Sequence, residues 1–328
     1  MPRPNPYRPF SPCPEQHALI PDISGNAING LDEKKPRQPM HVYWNDPDKI
    51  AHGGLQRWFY KNDPDNQALR DAREDRASIT KLELPPIAPS APKRSNRQHT
   101  AKLLQQVDQF DFEMTGITAM QSKYLYQNAQ INHQWVVMIG VVHDYSQIST
   151  APQDIAGAEV VRQYGRAMRG ALEIAAWIRN QGFDAEPHTG PMADKLLMIP
   201  PAIACGFGEL GKHGSLINAE YGSNFRLSAV TTSMPLEPTD APPLWVDDFC
   251  TNCRICEDAC PPEAILPEKQ MVRGRQKWYV DFDKCIPFFN ENFGCAMCIA
   301  QCPWSKPGTA PRLSQKIARR HERKFSEQ

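Results

Sequence analysis

From Trp135 to Val142 the chain reads WVVMIGVV, with no polar break. A run of this length predicts a strand buried on both faces. The period then changes. Val161, Tyr164, Met168, Ala171, Ala175 and Ile178 recur at spacings of three and four, which predicts one long helix from about Ile155 to Gln181 with an apolar stripe. Asp154 is placed to cap its start, and Gly182 stands where a left-handed residue ends a helix. Tyr164 belongs to the stripe, and periodicity alone makes it a core tyrosine with its hydroxyl satisfied. Alternation returns at Phe225–Thr231, where Phe225, Leu227, Ala229 and Thr231 share one face and Arg226 takes the other. An isolated arginine in that setting is ordinarily solvated or ion-paired. A helix over Thr100–Phe110 and an alternating strand at Trp278–Phe282 are also expected.

A glycine-rich loop, with Gly206, Gly208, Gly211 and Gly214, precedes the Phe225 strand. Glycine lets backbone approach another group closely, but this spacing matches neither the phosphate loop nor the dinucleotide fingerprint. Residues 1 to about 94 open on Pro2, Pro4, Pro6, Pro9, Pro12 and Pro14 and show little periodicity, as an extended arm wrapping a folded body would. Within it, a short helix at Asp65–Arg76 (DNQALRDAREDR) is dense in charge and reads as a solvated face. The segment Pro85–Lys93 reads as a linker. The expected organisation is an arm over 1–99, an α/β core over 100–245, a ferredoxin-like module over 246–308 and a basic tail over 309–328. That tail is taken as a solvated helix.

The cysteines add chemistry to this outline. Cys250, Cys253, Cys256 and Cys260 form a C-x-x-C-x-x-C-x-x-x-C-P run, and Cys285, Cys295, Cys298 and Cys302 form a second group that also closes on a proline. Eight thiolates in this spacing predict two 4Fe–4S clusters. In two-cluster ferredoxins the fourth cysteine of a run crosses to the other cluster. The expected sets are therefore Cys250, Cys253, Cys256 and Cys302, and Cys260, Cys285, Cys295 and Cys298. The triplet leaves too little chain between ligands for a zinc tetrahedron. Cys13 and Cys205 are left as ordinary thiols. The 37 basic and 37 acidic residues cancel, which offers no field for steering onto nucleic acid or an anionic membrane. With no apolar leader, twin-arginine pair or membrane-length run in the sequence, a soluble, cytoplasmic protein is expected.

Four segments then carry a resemblance. AAWIRNQGFDAEPH, GFGELGKHGSLINAEYGSNFRLSAVTTSMPLEP, FCTNCRICEDACPPEAI, and KWYVDFDKC followed by GCAMCIAQCPWSK, in this order, resemble the catalytic subunit of corrinoid reductive dehalogenases from about Asp154 to Lys306. The match is weaker from Gly116 to Val142. The resemblance implies a nitroreductase-like, α/β (α+β) corrinoid-binding core, a dicluster ferredoxin-like domain packed on it, and a base-off cobalamin between them. It implies replacement of a carbon-bound halogen by hydrogen with two electrons and one proton. The family's acid pair, a tyrosine on the long helix and a basic residue on the strand, falls on Tyr164 and Arg226. Cobalamin contacts are expected from Gly206, Gly208, Gly211, Lys212, His213 and Gly214, and no D-x-H-x-x-G pattern supplies a histidine to cobalt. The implied partners are a small organohalide and a separate low-potential donor (a ferredoxin, flavodoxin or reductase), because the fused reductase of some catabolic members is not seen after Cys302. A pocket asparagine of some members falls on Gly190.

The alternative is epoxyqueuosine reductase, which is similar in the same cobalamin and dicluster arrangement. Its general-acid aspartate falls on His188, and its helical repeats and basic tRNA surface are not found. A third reading is a non-catalytic electron carrier or cobalamin-handling protein.

Overall fold

The computed structural model describes residues 5–61, 63–191 and 195–326. Four strands form an antiparallel sheet: β1 (Met114–Ala119), β2 (Trp135–Val142), β3 (Ala185–Thr189) and β4 (Phe225–Thr232), in the order β1-β2-β4-β3. The uninterrupted apolar run is β2, paired on both edges, with Val136 to Val141 buried. Antiparallel register places Val137 opposite Val230 and Val141 opposite Arg226. Arg226, Ser228 and Val230 therefore share one face.

That face is covered by two helices, α3 (Asn96–Val107) and α4 (Asp154–Asn180). Ala171, Ile174, Ala175 and Ile178 of α4 pack with Leu103, Val137, Ile139 and Val230. The Ser228 hydroxyl also donates to the Ala167 carbonyl at 2.6 Å, tying β4 to the helix. On the opposite face Val136, Met138, Phe225 and Ala229 meet Tyr124, Leu196, Ala202 and Phe207.

Several expectations shift. Helix α4 is capped by Gln153 rather than Asp154, without a side-chain bond; Asp154 is its first residue and accepts from the Asn66 amide at 2.8 Å. Gly182 does follow its end with φ +82°. The helix expected from Thr100 begins at Asn96, where Ser95 and Gln98 form a reciprocal capping box. The strand expected at Trp278–Phe282 is displaced upstream, to a hairpin of Gln270–Val272 with Arg275–Lys277. Only Val280 of that stretch makes a bridge, to Ile265, because Phe282 already opens α5 (Phe282–Glu291).

Residues ahead of the sheet contribute two short helical turns, Pro14–His17 and Gly25–Asn29, and two longer helices, α1 (Gly53–Lys61) and α2 (Gln67–Ile79). The charged α2 is not simply solvated. Leu69, Ala72 and Ile79 are buried, and the first two pack with Ala158 of α4. Upstream, the arm holds the cysteine-rich region. Arg8 donates to the Cys260 carbonyl at 2.6 Å, Gln16 to the Pro287 carbonyl at 3.0 Å, and Asn26 to Asp281 at 2.8 Å. The tail forms α6 (Thr309–Ser326), and it too has a packed side: Ala310 is buried, and Leu313 and Ile317 lie against the cluster containing Trp304. No described helix is long and apolar enough to cross a membrane.

Candidate active site

The eight cysteines separate into two groups of four. Cys250, Cys253, Cys256 and Cys302 line one small void together with Lys212 and His213. Cys260, Cys285, Cys295 and Cys298 line one end of a larger cavity. Electrostatics largely follow this division, with Cys256 of the first group also acting on Cys298. Burial first, then the neighbouring Cys302, Cys250 and Cys253, pushes the Cys256 thiol up to about 12. Burial, then Cys295, Cys285 and Cys260, raises Cys298 well above its ordinary value. Thiols so placed give up their protons when a multivalent iron–sulfur core sits between them. Among the described residues no three His, Cys, Asp or Glu converge on a single ion, as a zinc tetrahedron would require. The donor sets and their voids fit 4Fe–4S clusters.

The larger cavity, about 270 Å³, runs from the second thiol group to Tyr164 and Arg226. Helix α4 presents Tyr164 where its stripe leaves the sheet and passes over the cavity. The residue is half-buried there rather than closed in the core. The Arg226 guanidinium carbon stands 5.5 Å from the centre of the Tyr164 ring. Gly190 makes room for this arrangement, since a Cβ there would lie 2.6 Å from the ring. Behind Arg226 sits buried His143, 3.7 Å from Glu159. Desolvation, helped by the Arg226 charge, lowers its pKa to about 4 and keeps the imidazole neutral.

The glycine loop packs tightly within the chain. A Cβ on Gly208 would stand 2.1 Å from the Ile217 carbonyl, and one on Gly211 would meet Ile217 and His213. The loop's close approaches, including that of Gly206 to Ala241 and the looser one of Gly214 to Val280, are to its own chain. Lys212 and His213 border the first thiol void. Lys212 is buried in an ion pair with Glu257 at 2.5 Å, its ammonium 5.0 Å from the Trp278 ring centre. His213 has both nitrogens engaged: Nδ1 accepts from the Ser215 amide at 3.2 Å, and Nε2 lies 3.0 Å from the Ser223 hydroxyl. None of Gly206, Gly208, Gly211, Lys212, His213 or Gly214 lines the larger cavity.

Two residues that sequence reasoning passed over do line it. Arg73 and Arg76 project from α2, and Arg76 donates to the Gly190 carbonyl at 3.3 Å. The Nε atoms of Arg76 and Arg226 are buried without a partner.

These features bear on a corrinoid. The cavity is lined by one cluster's thiols and by the tyrosine–arginine pair, and no histidine lines it among the described residues. In chemistry and position the residues fit a redox group placed there. Small-molecule sites span roughly 300–1,000 Å³, so a cavity of about 270 Å³ admits a whole corrinoid only if its wall of Trp44, Phe59, Phe289 and Phe293 moves apart.

Comparison with known proteins agrees with this picture. Residues 249–306 match the family described as the 4Fe-4S dicluster domain. The tetrachloroethene reductive dehalogenase of Dehalobacter restrictus is 33% identical over 187 residues, covering 53% of this chain and 33% of the relative. That of Sulfurospirillum multivorans is 29% identical over 180 residues, covering 52% and 35%. An epoxyqueuosine reductase of Leadbetterella byssophila is 32% identical over 134 residues, covering 36% and 38%. The chain thus spans about a third of the length of the curated dehalogenases it matches. A solved catabolic reductive dehalogenase, in complex with 3-bromo-4-hydroxybenzoic acid, superposes with a TM-score of 0.72 at 18% identity, covering 90% of this chain and 46% of that one. The chain has the mixed α/β fold of reductive dehalogenase structures, joined to a 4Fe–4S dicluster, ferredoxin-like domain.

Proposed function

We propose that this chain carries out reductive dehalogenation, R–X + 2e⁻ + H⁺ → R–H + X⁻, at the cavity between the second cluster and Tyr164. The observation that carries the reading is the cavity itself. An electron-delivering thiol set stands at one end and a phenol beside a guanidinium at the other.

Cys250, Cys253, Cys256 and Cys302 would hold the first cluster, and Cys260, Cys285, Cys295 and Cys298 the second. Electrons pass from first to second one at a time. A base-off cobalamin, when bound, would supply the low-potential metal centre that takes these electrons to the carbon–halogen bond. Tyr164 gives its proton as negative charge develops on the carbon losing halide. Arg226 stabilises the phenolate left behind, and being permanently protonated it does not compete as the acid. The aromatic wall keeps water from the reacting carbon.

A separate low-potential donor, such as a ferredoxin, flavodoxin or reductase, would feed the first cluster. Phe249 supports this route, since it borders both the first thiol void and an open groove edged by Arg312, Lys316 and Arg319 of α6. The epoxyqueuosine reading is weakened by His188, which is buried on β3 against the Thr231 hydroxyl at 2.9 Å and does not line the cavity. The reading is tested by reconstituting the protein with iron, sulfide and cobalamin and measuring halide release from aryl and alkyl halides beside epoxyqueuosine reduction. Halide release supports it; epoxyqueuosine turnover without halide release replaces it.

A further inference from the structure

The tail helix α6 carries Arg312, Lys316, Arg319, Arg320, Arg323 and Lys324, all exposed, against a single acid, Glu322. Basic and acidic residues cancel over the whole chain. The helix is therefore a local concentration of positive charge, which orients a charged partner as well as attracting it. It is also fixed in place. Leu313 and Ile317 pack with Trp304 and Ala310, and His321 stacks on Trp245 with ring centres 4.2 Å apart, its Nε2 2.8 Å from Asp248. The six cations line an open groove of about 870 Å³, where Asp248 is the one acid among the described residues. A charge run on an exposed helix is ordinarily a solvated face. This one shares a wall with a cluster site: Phe249 lines both the groove and the first thiol void. Its ring meets that of Trp304 edge-on at 5.5 Å, and Trp304 borders the void as well.

We propose that this groove docks a small acidic redox protein, a one-electron carrier of low potential whose carboxylate-rich face pairs with the cations of α6. At each encounter the carrier's reduced centre loses one electron and the first cluster gains it, so two encounters supply one halide removal. Nucleic acid would also answer to the charge, but stacking of bases calls for a row of aromatic rings, and Phe249 is the one aromatic residue lining the groove among the described residues.

The partner rests on reading the first cluster as the entry point for electrons, and the test separates the two. Bleaching of the iron–sulfur-loaded full chain is followed by stopped flow with a reduced, acidic plant-type ferredoxin, and separately with photoreduced deazaflavin, an uncharged reductant. The ferredoxin rate should fall at least about tenfold between about 20 and about 300 mM salt, as steered encounters do, while the deazaflavin rate should not. Lys316→Glu with Arg320→Glu should cost at least about tenfold in ferredoxin rate and affinity at low salt, compared at equal iron content. Should that variant load less iron, Lys316→Gln with Arg320→Gln, which removes charge without reversing it, should give a smaller loss in the same direction. A ferredoxin rate insensitive to salt, or unchanged in both double variants, overturns the docking groove and leaves electron entry at the first cluster standing. Binding of a tRNA that is lost in these variants while the ferredoxin rate is kept also overturns it. Groove-dependent ferredoxin binding with no reduction of the cluster retained in Cys298→Ala supports the groove and removes the first cluster as the entry point.

Discussion

The two thiol groups have the same ligands and different surroundings. The first is enclosed by protein: Lys212, His213, Phe249 and Trp304 border it, and Tyr164, Arg226, Arg73 and Arg76 are all absent from its lining. The second opens into the cavity that holds all four of those residues. On the proposed reading, a cluster in the first position accepts and passes electrons without meeting substrate, and a cluster in the second stands at the reacting space. The pseudo-duplicated sequence motif thus supports two roles, and the division comes from what the rest of the chain packs against each half.

Removing a ligand tests this division most severely. Cys298→Ala should leave about four of about eight irons and abolish halide release, while the signal of the first cluster persists in electron paramagnetic resonance. Cys256→Ala should give the complementary spectrum, and a variant that loses both signals would merge the two sites into one. Next in size is the buried pair behind the first cluster. Lys212→Met leaves the Glu257 carboxylate without its cation, so it should destabilise the protein by about 3–5 kcal/mol. A denaturant midpoint close to that of the parent would show the pair to be dispensable.

At the second site, Arg226→Ala should slow turnover more than Arg226→Lys, which retains charge and loses the planar fork. Equal rates for the two would mean that Arg226 acts by packing. The most gradual effect is on pH. His143 and His188 are held neutral, both with pKa values of about 4, desolvation being the main cause. The unfolded chain binds these protons first, near 6.5. Stability is therefore full above pH 6.5 and falls as pH descends toward 4, by up to roughly 3 kcal/mol for each histidine. Thermal melts of His143→Gln and of the parent should diverge across that window. Parallel curves would remove His143 from the account.

What could be read from the sequence follows from how local each constraint is. The eight thiols were legible because ligand spacing around a cluster is a short-range property. Tyr164 and Arg226 were placed by helical and strand periods, yet that they meet across a cavity depends on the β2–β4 register and on Gly190, which periodicity does not contain. Arg73 and Arg76 were hidden because α2 mixes them with Asp71, Glu74 and Asp75, and a charge-dense helix looks solvated until Leu69 and Ala72 are seen to pin it to α4. The Gly206–Gly214 loop shows the reverse limit. Glycine signals that something comes close and not what, and the backbone of Gly206 and Gly208 approaches Ala241 and Ile217.

The central claim, that the proton enters from Tyr164 at the second-cluster cavity, is met most directly by Tyr164→Phe. Halide release is followed by ion chromatography in reconstituted protein of measured iron and cobalamin content. The account predicts unchanged cofactor content and a rate lower by about 10²–10⁴-fold, the usual contribution of a general acid. A variant that keeps its cofactors and releases halide at the parental rate would contradict it.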